Sequence, residues 1–280
     1  MWLGSCRDAW PRMTRDLAKK MVFVAGPRQV GKTLSLAELG IDSRDDFLQL
    51  LTLGGFPEPF FEGSEVEAQR WSREYRNLLV NEEIAGLQRI QDLGNLELLV
   101  LRLPALVGSL LSLNSLREDL QVSHKAVASW LSALERLYAV FRLSPMGSPK
   151  VRAIKKSQKH YHYDWSLVPG KGPRFENMVA SHLLKWVHFQ QDTEGRDLEL
   201  LYFRDTDGRE VDFILAENGE PITAIECKWS DSKPDKNLRY WKLRFPDCDA
   251  WQLSATGVKD FATPDGVRVC HAIEFLKKLV

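Results

Sequence analysis

Residues 26–33, Gly26-Pro27-Arg28-Gln29-Val30-Gly31-Lys32-Thr33, match G-x-x-x-x-G-K-[ST] at every fixed position and follow the apolar run Met21-Val22-Phe23-Val24-Ala25. The pattern predicts a buried strand feeding a phosphate-cradling loop. Backbone N–H groups of such a loop wrap phosphates, Lys32 reaches the β and γ oxygens, and Thr33 can ligate Mg²⁺ where a helix begins. The residues just past the loop constrain the fold most. Only residues 34–40 separate the loop from sequence with helical periodicity. A doubly wound nucleotide domain needs several parallel strands with crossover helices, on the order of 100 residues or more. A lone strand of that doubly buried kind has no partners for its backbone groups.

Hydrolysis would also require an apolar strand ending in acidic residues, one for magnesium and one to orient water. Asp45-Asp46 follows Ile41-Asp42-Ser43-Arg44, which is no strand. Glu82-Glu83 continues the helical stripe of Trp71, Tyr75 and Leu78. The residues therefore point to ATP and Mg²⁺ at residues 26–33, with little or no hydrolysis expected.

Composition narrows the remaining classes. The 280 residues are 44% hydrophobic and 27% charged, with 38 basic and 38 acidic side chains. That balance speaks for roughly two globular domains and against a wholesale polybasic binder, leaving only local patches. The longest apolar runs, residues 96–101 and 106–113, are broken by polar residues and fall short of the ~20 needed to span a bilayer. The first residues carry no apolar core behind a basic flank, so an export signal is not expected. Cys6, Cys227, Cys248 and Cys270 are scattered without C-x-x-C spacing. A reduced, cytoplasmic setting is expected, with neither a disulfide framework nor a zinc site.

Along the chain, residues 43–140 read as helical. Apolar residues recur at three-and-four spacing in Phe47-Leu48-Leu50-Leu51, in Trp71-Tyr75-Leu78-Leu79 and in Leu96-Leu99-Val100-Leu103. Residues 114–144 suggest a helix-turn-helix, with Val122-Ser123 capping a helix that carries Val127, Trp130, Leu131, Leu134 and Leu137, then a strand over residues 140–143. Lys150, Arg152, Lys155, Lys156 and Lys159 form a basic stretch without an acidic residue. It suits a path along nucleic acid, as it suits a solvated linker. Beyond residue 171 the pattern predicts a helix over 174–188, strands near 198–203, 210–215 and 222–229, a helix near 237–244 and a strand near 250–253.

Asp212, Glu226 and Lys228 carry the second candidate chemistry. Strand alternation puts Glu226 and Lys228 on one face with Ala224, and Ile225, Cys227 and Trp229 on the other. A three-residue turn at Asn218 would set Asp212 directly opposite Glu226. Two carboxylates would then lie within reach of one Mg²⁺, beside an ammonium, a group suited to attack on a phosphodiester. An exposed Glu–Lys cross-strand pair gives the same pattern. Arg204 and Arg209 could line a phosphate path. His160 and His162 have same-face spacing, but no third ligand accompanies them. In the second helix of the helix-turn-helix, His124 and Lys125 are the obvious polar readers.

The loop at residues 26–33, Gly54-Gly55-Phe56-Pro57-Glu58, the helix-turn-helix at 122–137, Tyr161-His162-Tyr163-Asp164, Phe175-Glu176-Asn177, and Glu210-Val211-Asp212-Phe213 leading to Glu226-Cys227-Lys228 together resemble a known family. It comprises prokaryotic AAA+-type ATPases with a C-terminal PD-(D/E)XK nuclease-like domain, long described as a domain of unknown function. The resemblance covers nearly the whole chain. It implies a mixed α/β protein acting near DNA, with a P-loop remnant at residues 1–40, a helical and winged-helix middle at 41–145, and a restriction-endonuclease-like domain at 146–280. It also implies that Glu176 supplies a further acidic ligand. Residues 34–39 resemble the stretch after the last strand of the ATPase core, yet here they join Thr33 directly. The chain thus resembles a member with an internal deletion that removed the Walker B strand, the sensor residue and any arginine finger. Three functions stay open at this level: an ATP-binding ATPase relative, a Mg²⁺-dependent nuclease using Asp212, Glu226, Lys228 and Glu176, and a non-enzymatic DNA- or protein-binding module. A membrane partner is not expected.

Overall fold

The computed structural model describes residues 34–80, 92–147 and 158–279. The expected strand at 21–25, the phosphate loop at 26–33, Glu82-Glu83, Cys6 and the basic residues at 150–156 lie outside the described residues.

Serine opens most of the early helices. Ser35 precedes α1 (Leu36–Leu39) and Ser43 precedes α2 (Arg44–Leu53), each hydroxyl accepting from the backbone N–H three residues on. After α3 (Pro57–Glu62), Ser64 does the same for α4 (Glu65–Leu78). Asp92 caps α5 (Leu93–Arg102), and a 3₁₀ turn and β1 (Leu110–Leu111) come next. Ser112 caps α6 (Leu113–Leu120), and Ser123 caps α7 (His124–Arg136) as the sequence indicates. Each such cap contributes about 1 kcal/mol by satisfying an otherwise orphaned donor. Gly54 ends α2 at φ +89, where a Cβ would stand 3.0 Å from Asp164 Oδ1, so glycine is required there.

The middle of the chain is a helix-turn-helix, α6–α7, packed on a small sheet. Leu96, Leu99, Leu116, Val127, Trp130, Leu131 and Leu134 fill its core. The sheet runs in the order β1, β3 (Gln158–His162), β2 (Val140–Leu143), all antiparallel. Here the structure differs from the expectation. The sequence places residues 158–162 at the end of a basic stretch inside a C-terminal domain starting at residue 146. They form instead the central strand of the middle sheet, with Arg142 opposite His160 and Tyr161 opposite Phe141.

After a 3₁₀ turn (Trp165–Leu167), the long helix α8 (Lys171–Glu194) opens the C-terminal part. β4 (Leu198–Arg204), β5 (Glu210–Glu217) and β6 (Glu220–Lys228) form an antiparallel meander. The helix α9 (Lys236–Arg244) then returns the chain to β7 (Asp249–Ser254), parallel to β6. β8 (Phe261–Ala262), β9 (Val267–His271) and α10 (Ala272–Leu276) add to the elements expected. The six strands run in the order β4-β5-β6-β7-β9-β8. Both faces are covered. Phe175, Val179 and Leu183 of α8 pack on Phe213, Leu215, Ile225 and Leu253. Leu238 and Trp241 of α9 pack on Val211, Ile214, Ala224 and Val267. Parallel strands need this two-sided cover.

The first helices join the C-terminal core rather than the middle one. Leu36, Phe47, Leu50 and Leu51 belong to the core under α8. The Leu36 N–H donates to His182 Nε2 at 3.2 Å. Phe47 lies edge-on to Phe175 and His271. Burying each such side chain contributes roughly 1.5–3 kcal/mol. Among the described residues no helix is long and apolar enough to cross a membrane.

One buried amide ties α8 to the middle sheet. Asn177 accepts from the His162 N–H at 2.8 Å and donates to the His162 carbonyl at 2.6 Å. It stands where β1 is too short to pair with β3. Asn177→Ala strands the His162 N–H in a site without exposure and leaves its carbonyl the Ser181 hydroxyl bond at 3.3 Å. We expect a loss of roughly 1–3 kcal/mol in urea unfolding. A change under about 0.5 kcal/mol would show that β3 does not depend on this bridge.

Candidate functional site: a buried carboxylate–lysine centre

The β5–β6 hairpin reverses at Asn218 and Gly219, both left-handed at φ +52 and +85. This is the type I′ geometry that Asn-Gly favours. The turn is therefore two residues long, not three. A register shift beside Leu215 and Ala216 adds the missing offset. Phe213 pairs with Ile225, so one step further Asp212 stands across from Glu226, as the sequence indicates.

The side chains nevertheless do not share one face as expected. β5 carries a bulge against β4, with Leu201 opposite Ile214 but Phe203 opposite Val211. Val211 and Ile214 both enter the core under α9, so Asp212 and Phe213 between them turn toward α8. Asp212 Oδ2 accepts from the Cys227 N–H at 2.9 Å, and its Oδ1 lies 3.5 Å from Lys159 Nζ. Glu226 stays on the α9 side. Its Oε1 accepts from Lys228 Nζ at 2.7 Å, and Lys228 also donates to Asp235 at 3.0 Å.

Lys159 is the residue whose sequence context misleads. Its neighbours group it with a solvated basic stretch, yet it is 1% exposed. Its Nζ lies 2.6 Å from Glu210 Oε1 and 3.5 Å from both Glu176 Oε1 and Asp212 Oδ1. Strand alternation sends Lys159 and Tyr161 the same way, and the Tyr161 hydroxyl donates to Glu176 Oε1 at 2.7 Å. That alternation, which sets Lys159 and Tyr161 apart from His160 and His162, is the one signal the sequence offers. Gly108 lets a loop close over Glu176, since a Cβ there would meet Glu176 Oε2 at 3.0 Å.

Five carboxylates, Glu176, Glu210, Asp212, Glu226 and Asp235, thus face Lys159, Lys228 and the exposed Arg204, which bonds Glu210. Negative charge is in excess, and it shapes the ionisation equilibria. Burial, then the charge of Asp212, pushes Glu226 up to about 9. Burial and Asp212, opposed by Lys159, push Glu176 up to about 7. Burial also raises Asp212, against the pull of Lys159 and the Cys227 N–H. Burial alone would lower both lysines, but Asp212, Glu176 and Glu210 around Lys159, and Glu226 and Asp235 around Lys228, hold them firmly charged. Within this centre, Glu226 Oε2 is buried and accepts no hydrogen bond from any described residue.

The other expected site residues fare differently. Thr33 and the rest of the phosphate loop lie outside the described residues. Arg204 and Arg209 are engaged in ion pairs, Arg209 with Asp205 and Asp207 while lying 4.4 Å over the Tyr240 ring. His160 and His162 are buried, their rings edge-on at 5.6 Å, and burial lowers them to about 4 and about 3. They are neutral packing residues. His124 and Lys125 are exposed on the first turn of α7. Among the described residues no three His, Cys, Asp or Glu side chains come close enough together to hold a metal by themselves.

Comparison with known protein families gives two matches. Residues 44–170 match a family model described as a domain of unknown function (DUF8612), and residues 171–271 match another so described (DUF4143). The second is a domain often associated with AAA ATPases. The junction of the two matches falls where the Trp165–Leu167 turn gives way to α8. No curated protein and no solved structure matches the chain.

Proposed function

We propose that this chain is an AAA+-type ATPase relative, reduced in its nucleotide domain, whose C-terminal nuclease-like domain cleaves DNA phosphodiester bonds with Mg²⁺ at the Asp212–Glu226–Lys228 centre. The observation that carries the reading is the buried, unpartnered Glu226 Oε2 in a cluster where carboxylates outnumber cations. A divalent ion would supply the missing charge. Mg²⁺ commonly takes one or two carboxylates together with water and substrate phosphate, so this donor set fits it without a third acidic ligand. Asp212 and Glu226 would hold the ion, Asp212 turning from the Cys227 N–H toward Glu226 to share it, with Glu176 behind them. Bound there, Mg²⁺ would supply an activated water and neutralise charge on the attacked phosphate.

The chain's own groups have separate tasks. Lys228, held beside Glu226 by its bond to Asp235, would place an ammonium next to the reacting phosphate. Lys159 balances Glu176, Glu210 and Asp212 from below. The meander, crossover helix and parallel fourth strand support the restriction-endonuclease-like reading, and the helix-turn-helix with its sheet supports DNA as the partner. The test is conversion of supercoiled plasmid to nicked form. Wild type should act with Mg²⁺ and not with chelator, and Asp212→Asn should lose the activity about a hundredfold or more. Equal cleavage by the variant would remove the centre from the reaction.

The nucleotide half of the proposal rests on residues 26–33 and on the association of the C-terminal match with AAA ATPases. We expect a fluorescent ATP analogue to bind with Mg²⁺ and to be lost in Lys32→Ala, without ATP turnover. Turnover abolished by Lys32→Ala would contradict the hydrolysis-deficient reading.

A further inference from the structure

A second polar pocket lies away from the carboxylate centre, between α4, the Trp165–Leu167 turn and the first turn of α8. Its volume is about 270 Å³. Three guanidiniums converge on it, from Arg73, Arg76 and Arg174. Arg174 and Glu176 stand two residues apart on α8, about 200° around the helix axis, so the pocket and the carboxylate centre occupy different sides of that helix.

Two of the arginines are set, and Arg73 reaches in from an exposed position on α4. Arg174 Nε donates to the Val168 carbonyl at 3.0 Å, and Arg76 Nε donates to the Ser72 carbonyl at 3.3 Å. Anchoring through Nε leaves the two terminal nitrogens of each fork for another acceptor. Among the described residues none of the three is in ion-pair contact with a carboxylate. Arg73 and Arg76 are also neighbours at i, i+3 on α4, where like charges repel unless an anion joins them. Burial lowers the Arg76 pKa, the Asp164 charge raises it, and Arg73 lowers it further.

The acids nearby do not fill the role. Asp164 lies behind the lining residues Ser72 and Ser166, its oxygens taken by the Ser72 hydroxyl at 2.8 Å and by the Ser166 hydroxyl and N–H at 2.6 and 3.1 Å. Glu65 sits exposed at the rim. A carboxylate ligand would satisfy one fork. A phosphoryl group, with three oxygens and up to two charges, matches three forks.

We propose that this pocket binds a phosphoryl group, held by Arg73, Arg76 and Arg174. The phosphate comes either from a small organic phosphate or from a nucleic-acid backbone. The volume admits the phosphoryl group with part of its substituent, somewhat below the usual ~300–1,000 Å³ of small-molecule pockets.

The experiment compares binding of pyrophosphate and of a short labelled DNA duplex to the full chain. Chains wild type at both arginines, Arg73→Gln/Arg174→Gln and Arg73→Lys/Arg174→Lys are measured side by side, each also carrying Lys32→Ala so that residues 26–33 contribute nothing, with thermal melting as the folding control. At least one probe should weaken about tenfold or more in the glutamine variant and weaken measurably in the lysine variant, with melting unchanged. The probe that responds identifies the source of the phosphate. The proposal is overturned if neither probe binds at millimolar concentration, if the glutamine variant binds like wild type, or if the lysine variant does, since that would mean diffuse positive charge.

Discussion

Lys159→Met is expected to destabilise the protein by about 3–5 kcal/mol, the usual cost of removing one partner from a buried ionic cluster. Methionine fills the stem's volume, so the loss isolates the charge. Three carboxylates, Glu176, Glu210 and Asp212, would remain around an apolar side chain that is 1% exposed in the native protein. The folded-state pKa values of Glu176 and Asp212 would rise further above the unfolded ones. For an acid so raised, stability is intact below the unfolded pKa and falls as pH climbs toward the folded pKa. The deficit should therefore shrink near pH 5 and widen toward pH 8. Urea unfolding at the two pH values measures both features. A deficit under about 1 kcal/mol, or one that does not grow with pH, would show that Lys159 is not the counter-charge. Because Lys159 belongs to β3 of the middle sheet, the same variant should loosen the junction between the two halves of the chain.

Glu226→Gln should move stability and activity in opposite directions. Glu226 is pushed up to about 9, from an ordinary 4.5, by burial and by Asp212. Between those values the folded protein holds a proton that the unfolded chain releases, so wild-type stability falls as pH rises through that window. Glutamine is neutral throughout, and its Oε1 can still accept from Lys228. The variant should be flat across the window and roughly 1–3 kcal/mol more stable than wild type at pH 8. Its Mg²⁺-dependent cleavage should fall at least about a hundredfold. Strain of this sort is what a functional site costs a fold. Thermal melting across pH, paired with the plasmid assay, reads both effects. A variant less stable than wild type at pH 8 would mean that the glutamate is structural.

Much of this centre is legible in the sequence because hairpins are local. The pairing of Asp212 with Glu226 comes from Asn218-Gly219 and from alternation along Ile222 to Lys228, and a longer turn or a shorter turn with a bulge gives the same offset. The bulge that turns Asp212 toward α8 is not legible, since it depends on how β4 packs against β5. Lys159 is hidden for a related reason. A lysine among lysines reads as solvated, and only the seating of β3 between β1 and β2 reveals three carboxylates around it. The helix-turn-helix is readable from Ser123 and the Val127–Leu134 stripe. That α1 and α2 pack under α8 is not, because their apolar faces fit either core. The arginine pocket draws on α4 and α8, too far apart in sequence for any pattern to join them.

The most direct test of the central claim, that the excess carboxylate charge at Asp212 and Glu226 exists to hold Mg²⁺, is calorimetric titration of Mg²⁺ into the full chain at pH 8. Repeating it in two buffers of different ionisation enthalpy reports proton release. The expected result is saturable binding that expels close to one proton, since Glu226 must ionise to take the metal, with affinity and proton release both lost in Glu226→Gln. Absent binding, or binding that Glu226→Gln leaves unchanged, would contradict it.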